Sequence, residues 1–222
     1  MPLKAVLFDM DGVIVDTEPL HRKAYFNTFK DLNITVSEEF YTSLTGTSTK
    51  KATSMIKEEF GLEVSPEEIA TSKRKYFKHY FDTDPEFDLL PGVRELIVHY
   101  YENRIKLVLA SSASMNTINW VFEKFDIGQY FMGKISGADL EESKPNPEIF
   151  IKAAEIAGEL KENCMVIEDS TNGILAANRA GIFCAAYKSE HSAMQDYQLA
   201  NILVSNFSEL EPQKISKFFV KN

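Results

Sequence analysis

Two carboxylates stand two residues apart in Asp9-Met10-Asp11-Gly12, directly after the apolar run Ala5–Phe8. On an ideal strand such residues point to opposite faces, so acting together requires the turn that Gly12 permits. A calcium-binding EF-hand loop is a poor match, because its glycine stands sixth rather than fourth and the preceding segment here is a strand. Three later features close further apolar runs. Ser111-Ser112 places hydroxyls after Ile105–Ala110, Lys144-Pro145 puts a cation just ahead of a helix start, and Glu168-Asp169-Ser170 ends Met165–Ile167 in paired acids. Each alone has an ordinary explanation, as a loop hydroxyl, a solvated lysine or a helix cap. Together they supply a carboxylate able to act as nucleophile or metal ligand, hydroxyl donors, a cation and further acids for a metal. The four histidines, His21, His79, His99 and His191, show no zinc-type spacing.

The elements that must carry these residues read as buried parallel strands with helices between them. Ala5–Phe8, Ile105–Ala110, Lys134–Ser136, Met165–Ile167 and Ala185–Tyr187 are mostly continuous apolar runs, and Ile202–Val204 makes a sixth. Val93, Leu96, Ile97, Tyr100 and Tyr101 form a helical stripe, as do Ile149, Phe150, Ala153, Ala154 and Ala157 behind an Asn146 N-cap and Pro147 at the first helical position. The helix after Asp169 should stop at Gly181. This alternation predicts an α/β fold, a doubly wound parallel sheet. One stretch breaks it: from Pro19 to Glu86 only helical patterns occur, such as Tyr25/Phe29/Leu32 and Tyr76/Phe77/Tyr80/Phe81. The expected organisation is a discontinuous core, residues 1–16 and 87–222, interrupted by an all-helical insertion at 17–86.

Composition narrows the partners. The 222 residues hold 24 Lys+Arg against 33 Asp+Glu, a net charge of −9, which disfavours nucleic acid and anionic membrane surfaces. No run approaches a membrane span. Ala5–Phe8 is cut short by Asp9, too early for a signal peptide. Cys164 and Cys184 lie in strand-like stretches and read as reduced core residues of a cytoplasmic protein.

The set Asp9-x-Asp11-Gly12-x-x-x-Asp16-Thr17-Glu18, Ser111, Lys144-Pro145 and Glu168-Asp169-Ser170-x-x-Gly173 resembles the haloacid dehalogenase superfamily. More narrowly it resembles the β-phosphoglucomutase-like phosphatases, whose Rossmannoid core carries a helical cap. The resemblance implies Asp9 as nucleophile, Asp11 as general acid/base, and Ser111, Ser112 and Lys144 as phosphate-binding residues. It implies Mg2+ held by Asp9, the Asp11 carbonyl oxygen and Asp169, with Glu168 in support. Asp11 favours phosphate esters over dehalogenation or phosphonate cleavage, whose enzymes usually lack that second acid. The cap loop Leu44–Thr49 carries Thr45 and Thr49 where the mutase has lysine and arginine, which favours a phosphatase over a mutase. Thr17, His21 and Lys75, the last within Ser72-Lys73-Arg74-Lys75, are the other cap residues expected to meet substrate. The implied protein is a monomeric Mg2+-dependent phosphatase of a small phosphorylated metabolite, such as a sugar phosphate. A hexose-phosphate mutase is the main alternative; a pyrophosphatase and a non-catalytic binding module are the others. The two connections to the cap, Val15–Glu18 and Asp84–Pro91, are expected to act as hinges.

Overall fold

The computed structural model describes residues 2–45, 47, 49–188 and 195–219; Met1, Gly46, Ser48 and His191 are among those outside the described residues. Among the described residues six strands form one parallel sheet: β1 (Ala5–Phe8), β2 (Lys106–Ser111), β3 (Gly133–Ser136), β4 (Cys164–Glu168), β5 (Phe183–Tyr187) and β6 (Ile202–Val204). The order is β3-β2-β1-β4-β5-β6. Phe8 lies level with Leu109 on one side and Ile167 on the other. The chain leaves β1 toward β2 and β3, then returns to build β4 to β6 on the far side. That reversal makes the C-terminal edge between β1 and β4 a topological switch point, the place where such sheets bind ligands.

Both faces of the sheet are covered, which is why the strands read as unbroken apolar runs. On one face Ala5, Leu7, Val108, Ala110 and Val166 pack with Ile149, Phe150 and Ala153 of α7 (Glu148–Ala157) and with Ile174 and Ala177 of α8 (Thr171–Ala180). On the other, Phe8 meets Tyr100 of α5 (Val93–Glu102) edge-on at 6.3 Å. Cys164 and Cys184 are buried thiols, and no described helix is long and apolar enough to cross a membrane.

Besides shifts of a residue or so at strand and unit ends, two details of the helices differ from the sequence expectation. The helix expected to begin at Pro147 begins at Glu148, and the Asn146 side-chain oxygen accepts the Glu148 N–H at 2.9 Å. Tyr101, the last member of the α5 stripe, is 53% exposed; eight residues carry it about 80° around the helix from Val93, and its ring meets Tyr130 instead.

The chain divides into two compact units, Met1–Asp16 with Asp88–Asn222, and Thr17–Phe87. Phe87 goes with the second unit because its ring packs on Phe81 at 5.0 Å. That unit consists of α1 (Glu18–Asp31), α2 (Glu38–Leu44), α3 (Thr49–Phe60) and α4 (Pro66–Thr83), and has no strand among its described residues. Tyr25, Phe29, Tyr41, Leu44, Ile56 and Ile69 form its core. A reciprocal Ser65–Glu68 capping box starts α4.

Candidate active site

Asp9 follows β1 and is 6% exposed, its N–H donating to the Ile167 carbonyl at 3.0 Å. The chain then folds back on itself: Ile14 N–H and Val15 N–H both donate to the Met10 carbonyl, and Gly12 N–H donates to Val15 O at 2.7 Å. Gly12 has φ +79°, and a Cβ there would lie 2.1 Å from Asp169 Oδ2. Glycine is thus required both by the left-handed backbone and by the carboxylate pressed against it. Asp169, arriving from the end of β4, is thereby held beside the Asp9–Gly12 turn, in which Asp11 is half-buried.

Lys144 ties the strand ends together. Its ammonium has three protons and three acceptors: Asp9 Oδ1, the Ala110 carbonyl at 3.0 Å and Glu168 Oε1 at 2.8 Å. The side chain is 5% exposed. Glu168 is equally committed. Its other oxygen accepts the Asp169 N–H (2.7 Å), the Ser170 N–H (2.7 Å) and the Ser170 hydroxyl (2.9 Å). The same hydroxyl oxygen accepts the Gly173 N–H and so caps α8. At the end of β2, Ser111 is buried, and its Oγ accepts the Ala113 N–H at 3.1 Å. Ser112 is exposed on the loop that follows. The structure thus gathers Asp9, Lys144, Glu168 and Asp169 at the edge where β2 presents Ser111.

Charge is unbalanced here. Burial raises Asp9 to about 7, with Glu168 and Asp11 adding to that against the pull of Lys144. Burial, with Glu168 and Asp9 behind it, raises Asp169 to about 8. Burial works against the Lys144 cation too, but Asp9 and Glu168 outweigh it and hold the lysine above its usual range. One cation therefore faces several carboxyls that resist ionising together. Among the described residues no three acidic, histidine or cysteine side chains close by themselves on a metal position. A hard divalent cation asks less than that: one or two carboxylates, a carbonyl and waters suffice. The oxygen-only donors Asp9, Asp169 and the Asp11 carbonyl fit it.

The helical unit holds its own cavity of about 90 Å³, whose lining includes Glu18, His21, Tyr41, Thr45, Thr49 and Lys73. Of the expected cap residues, His21, Thr45 and Thr49 come together there. Thr17 is buried at the start of α1 and does not line the cavity, and Lys75 is exposed on the outer face of α4. The lysine of that charge run which enters is Lys73, 4% exposed, two residues earlier. The sequence carries a signal for this: Ile69, Lys73, Phe77 and Phe81 recur every fourth residue, one face of the helix. Lys73 Nζ lies 2.6 Å from His21 Nδ1 and above the Tyr25 and Phe77 rings. Burial and then Lys73 push His21 down to about 3. His21 is neutral at physiological pH, and Nδ1 accepts from the ammonium.

A family model described as haloacid dehalogenase-like hydrolase matches residues 6–187. The chain is 31% identical over 183 residues to the phosphorylated carbohydrates phosphatase of Thermotoga maritima, covering 81% of this chain and 82% of that one. Among solved structures it is similar to the β-phosphoglucomutase of Clostridium difficile, with 29% identity and TM-score 0.78 over 99% of this chain and 97% of that one. It is also similar to a CbbY variant of Rhodobacter sphaeroides in complex with xylulose-(1,5)bisphosphate, with 26% identity and TM-score 0.80 over 94% and 96%.

Proposed function

The chain belongs to the haloacid dehalogenase-like hydrolases, in their β-phosphoglucomutase-like subgroup, and from that premise we propose that it is a Mg2+-dependent phosphatase of small phosphorylated sugars. The observation that carries this reading is the buried Lys144 ammonium joining Asp9 to Glu168 at the sheet edge that also presents Ser111 and Asp169. An Asp9 carboxylate oxygen attacks phosphorus as the bond to the sugar oxygen breaks, and Asp11 gives its proton to the departing alkoxide. Asp11 then takes a proton from water, whose oxygen attacks phosphorus, releasing inorganic phosphate and restoring Asp9. Ser111 and Lys144 hold the phosphoryl oxygens, with Ser112 beside them on the loop. Mg2+ would be held by Asp9, Asp169 and the Asp11 carbonyl, backed by Glu168, and would offset the repulsion between a phosphate dianion and the Asp9 carboxylate. The similarity to a phosphorylated carbohydrates phosphatase supports a sugar phosphate as substrate.

Asp9→Asn protein and wild type in EDTA should both lose phosphate release from a panel of sugar phosphates; activity kept in either sinks the mechanism. A second reading, a hexose-phosphate mutase, is favoured by one observation. The helical unit's cavity contains a buried cation, Lys73, which could meet a second phosphate although Thr45 and Thr49 are uncharged. Isomerisation of glucose 1-phosphate to 6-phosphate when primed by a bisphosphate, with little phosphate release, would select it.

A further inference from the structure

We propose that Gln195, from the connection between β5 and β6, is a positioning residue for the acidic turn that opens α8. This rests on the metal-dependent reading above. A helix start leaves its first N–H groups without intrahelical acceptors, and at α8 most of them are served locally. Glu168 takes those of Asp169 and Ser170, and the Ser170 hydroxyl takes that of Gly173. The Thr171 N–H is served from outside: it donates to Gln195 Oε1 at 2.8 Å, across 24 residues of chain. The Thr171 hydroxyl donates to the same oxygen at 2.9 Å and accepts the Asp196 N–H at 2.8 Å.

Three hydrogen bonds thus close residues 195–196 onto the first residue of α8, two positions from Asp169. The segment doing the clamping is itself fastened. Tyr197 and Ala200 pack against the main apolar core. Asn201 pairs with Cys184 of β5 through its N–H (2.9 Å to the carbonyl) and its side-chain oxygen (2.8 Å from the N–H). Gln195 therefore transmits the rigidity of β5 to the turn holding Asp169, whose carboxylate must stay against Gly12. Groups that orient a metal's ligands without touching the metal commonly matter tenfold to a hundredfold in affinity. Gln195 is exposed, so water replaces part of what is lost and the effect falls near the lower end.

The test is calorimetric titration of Mg2+ into wild type, Gln195→Met and Gln195→Glu, with metal-free thermal unfolding beside it. Gln195→Met keeps the shape but removes the acceptor, and should weaken Mg2+ binding by about tenfold while leaving the metal-free unfolding temperature close to wild type. Gln195→Glu keeps an accepting oxygen and should restore the affinity, measured in high salt to screen its added charge. Equal affinity in wild type and Gln195→Met overturns the proposal, as does equal weakening in both variants. A wild type that binds no Mg2+ fails the metal-dependent reading and takes this proposal with it.

Discussion

Gly173 lies in the first turn of α8, where replacing glycine by alanine normally stabilises a helix by about 1 kcal/mol. Here the sign should reverse. A Cβ on Gly173 would stand 1.6 Å from Glu168 Oε1 and 1.8 Å from its Cδ. On a surface a carboxylate would swing aside at little cost. Glu168 is 1% exposed, bound through one oxygen to Lys144 and through the other to three donors. Moving it breaks a buried ion pair, which costs about 3–5 kcal/mol when one partner is lost. Against the helix gain, Gly173→Ala should lose roughly 3 kcal/mol net. For a chain of this size that lowers the unfolding temperature by roughly 6–12 °C, read by circular dichroism on metal-free protein. In a Glu168→Ala background, where the carboxylate is gone, the same substitution should recover its ordinary stabilising sign. A Gly173→Ala protein as stable as wild type, or equally destabilised in both backgrounds, would refute the claim that the glycine exists to admit Glu168.

Two further outcomes follow from the charges. Asp9 and Asp169 have folded values of about 7 and about 8 against an ordinary 3.8, so between those limits the folded protein binds more protons than the unfolded chain. Stability of the metal-free protein should therefore fall as pH rises through 7 and 8. Its unfolding temperature should be higher near about pH 5.5 than near about pH 8.5, and Asp169→Asn should flatten the difference; a slope unchanged by that substitution would count against Asp169 as its source. In the helical unit, Lys73→Ala should raise KM for a bisphosphorylated sugar by about tenfold or more, the loss of a charged hydrogen bond to the second phosphate, whereas Lys75→Ala should leave it alone. Equal effects at the two positions would remove Lys73 from substrate binding.

The strands and the strand-end residues were legible because both rest on local regularities. Runs such as Val6–Phe8 and Leu107–Ala110 announce double burial, and an acid, a hydroxyl or a lysine closing such a run is conspicuous. Nothing local says that Lys144 reaches Asp9 across 135 residues; the inference works only because a parallel sheet collects every strand's C-terminal end at one edge. Lys73 escaped for the opposite reason. Its neighbours Ser72, Arg74 and Lys75 make a polar run, and charged side chains are rarely buried, which hides the fourfold apolar spacing around it. Gln195 had no signal at all. Its value lies in a contact between a loop and a helix start 24 residues earlier, and neither period nor composition encodes that.

The same accounting says what a phosphoryl group would meet at the sheet edge of a protein of net charge −9. Lys144 has no proton left to offer while it holds Asp9, Ala110 and Glu168, so a phosphoryl oxygen must displace one of these acceptors to reach it. Glu168 is the one least able to leave, being fixed at its other oxygen by the start of α8. Asp9 is the one whose charge is least secure, with its value raised by burial to about 7. Phosphate arriving at Lys144 would therefore compete with Asp9 for the ammonium, just when the proposed mechanism requires Asp9 to be ionised. On the mechanism proposed above, a second source of positive charge would hold Asp9 ionised once Lys144 turned to the phosphate, and Asp169 and the Asp11 carbonyl are the oxygen donors proposed for it. Lys144 alone does not offset the carboxyls around it, and it would do so less once it turned to a phosphate.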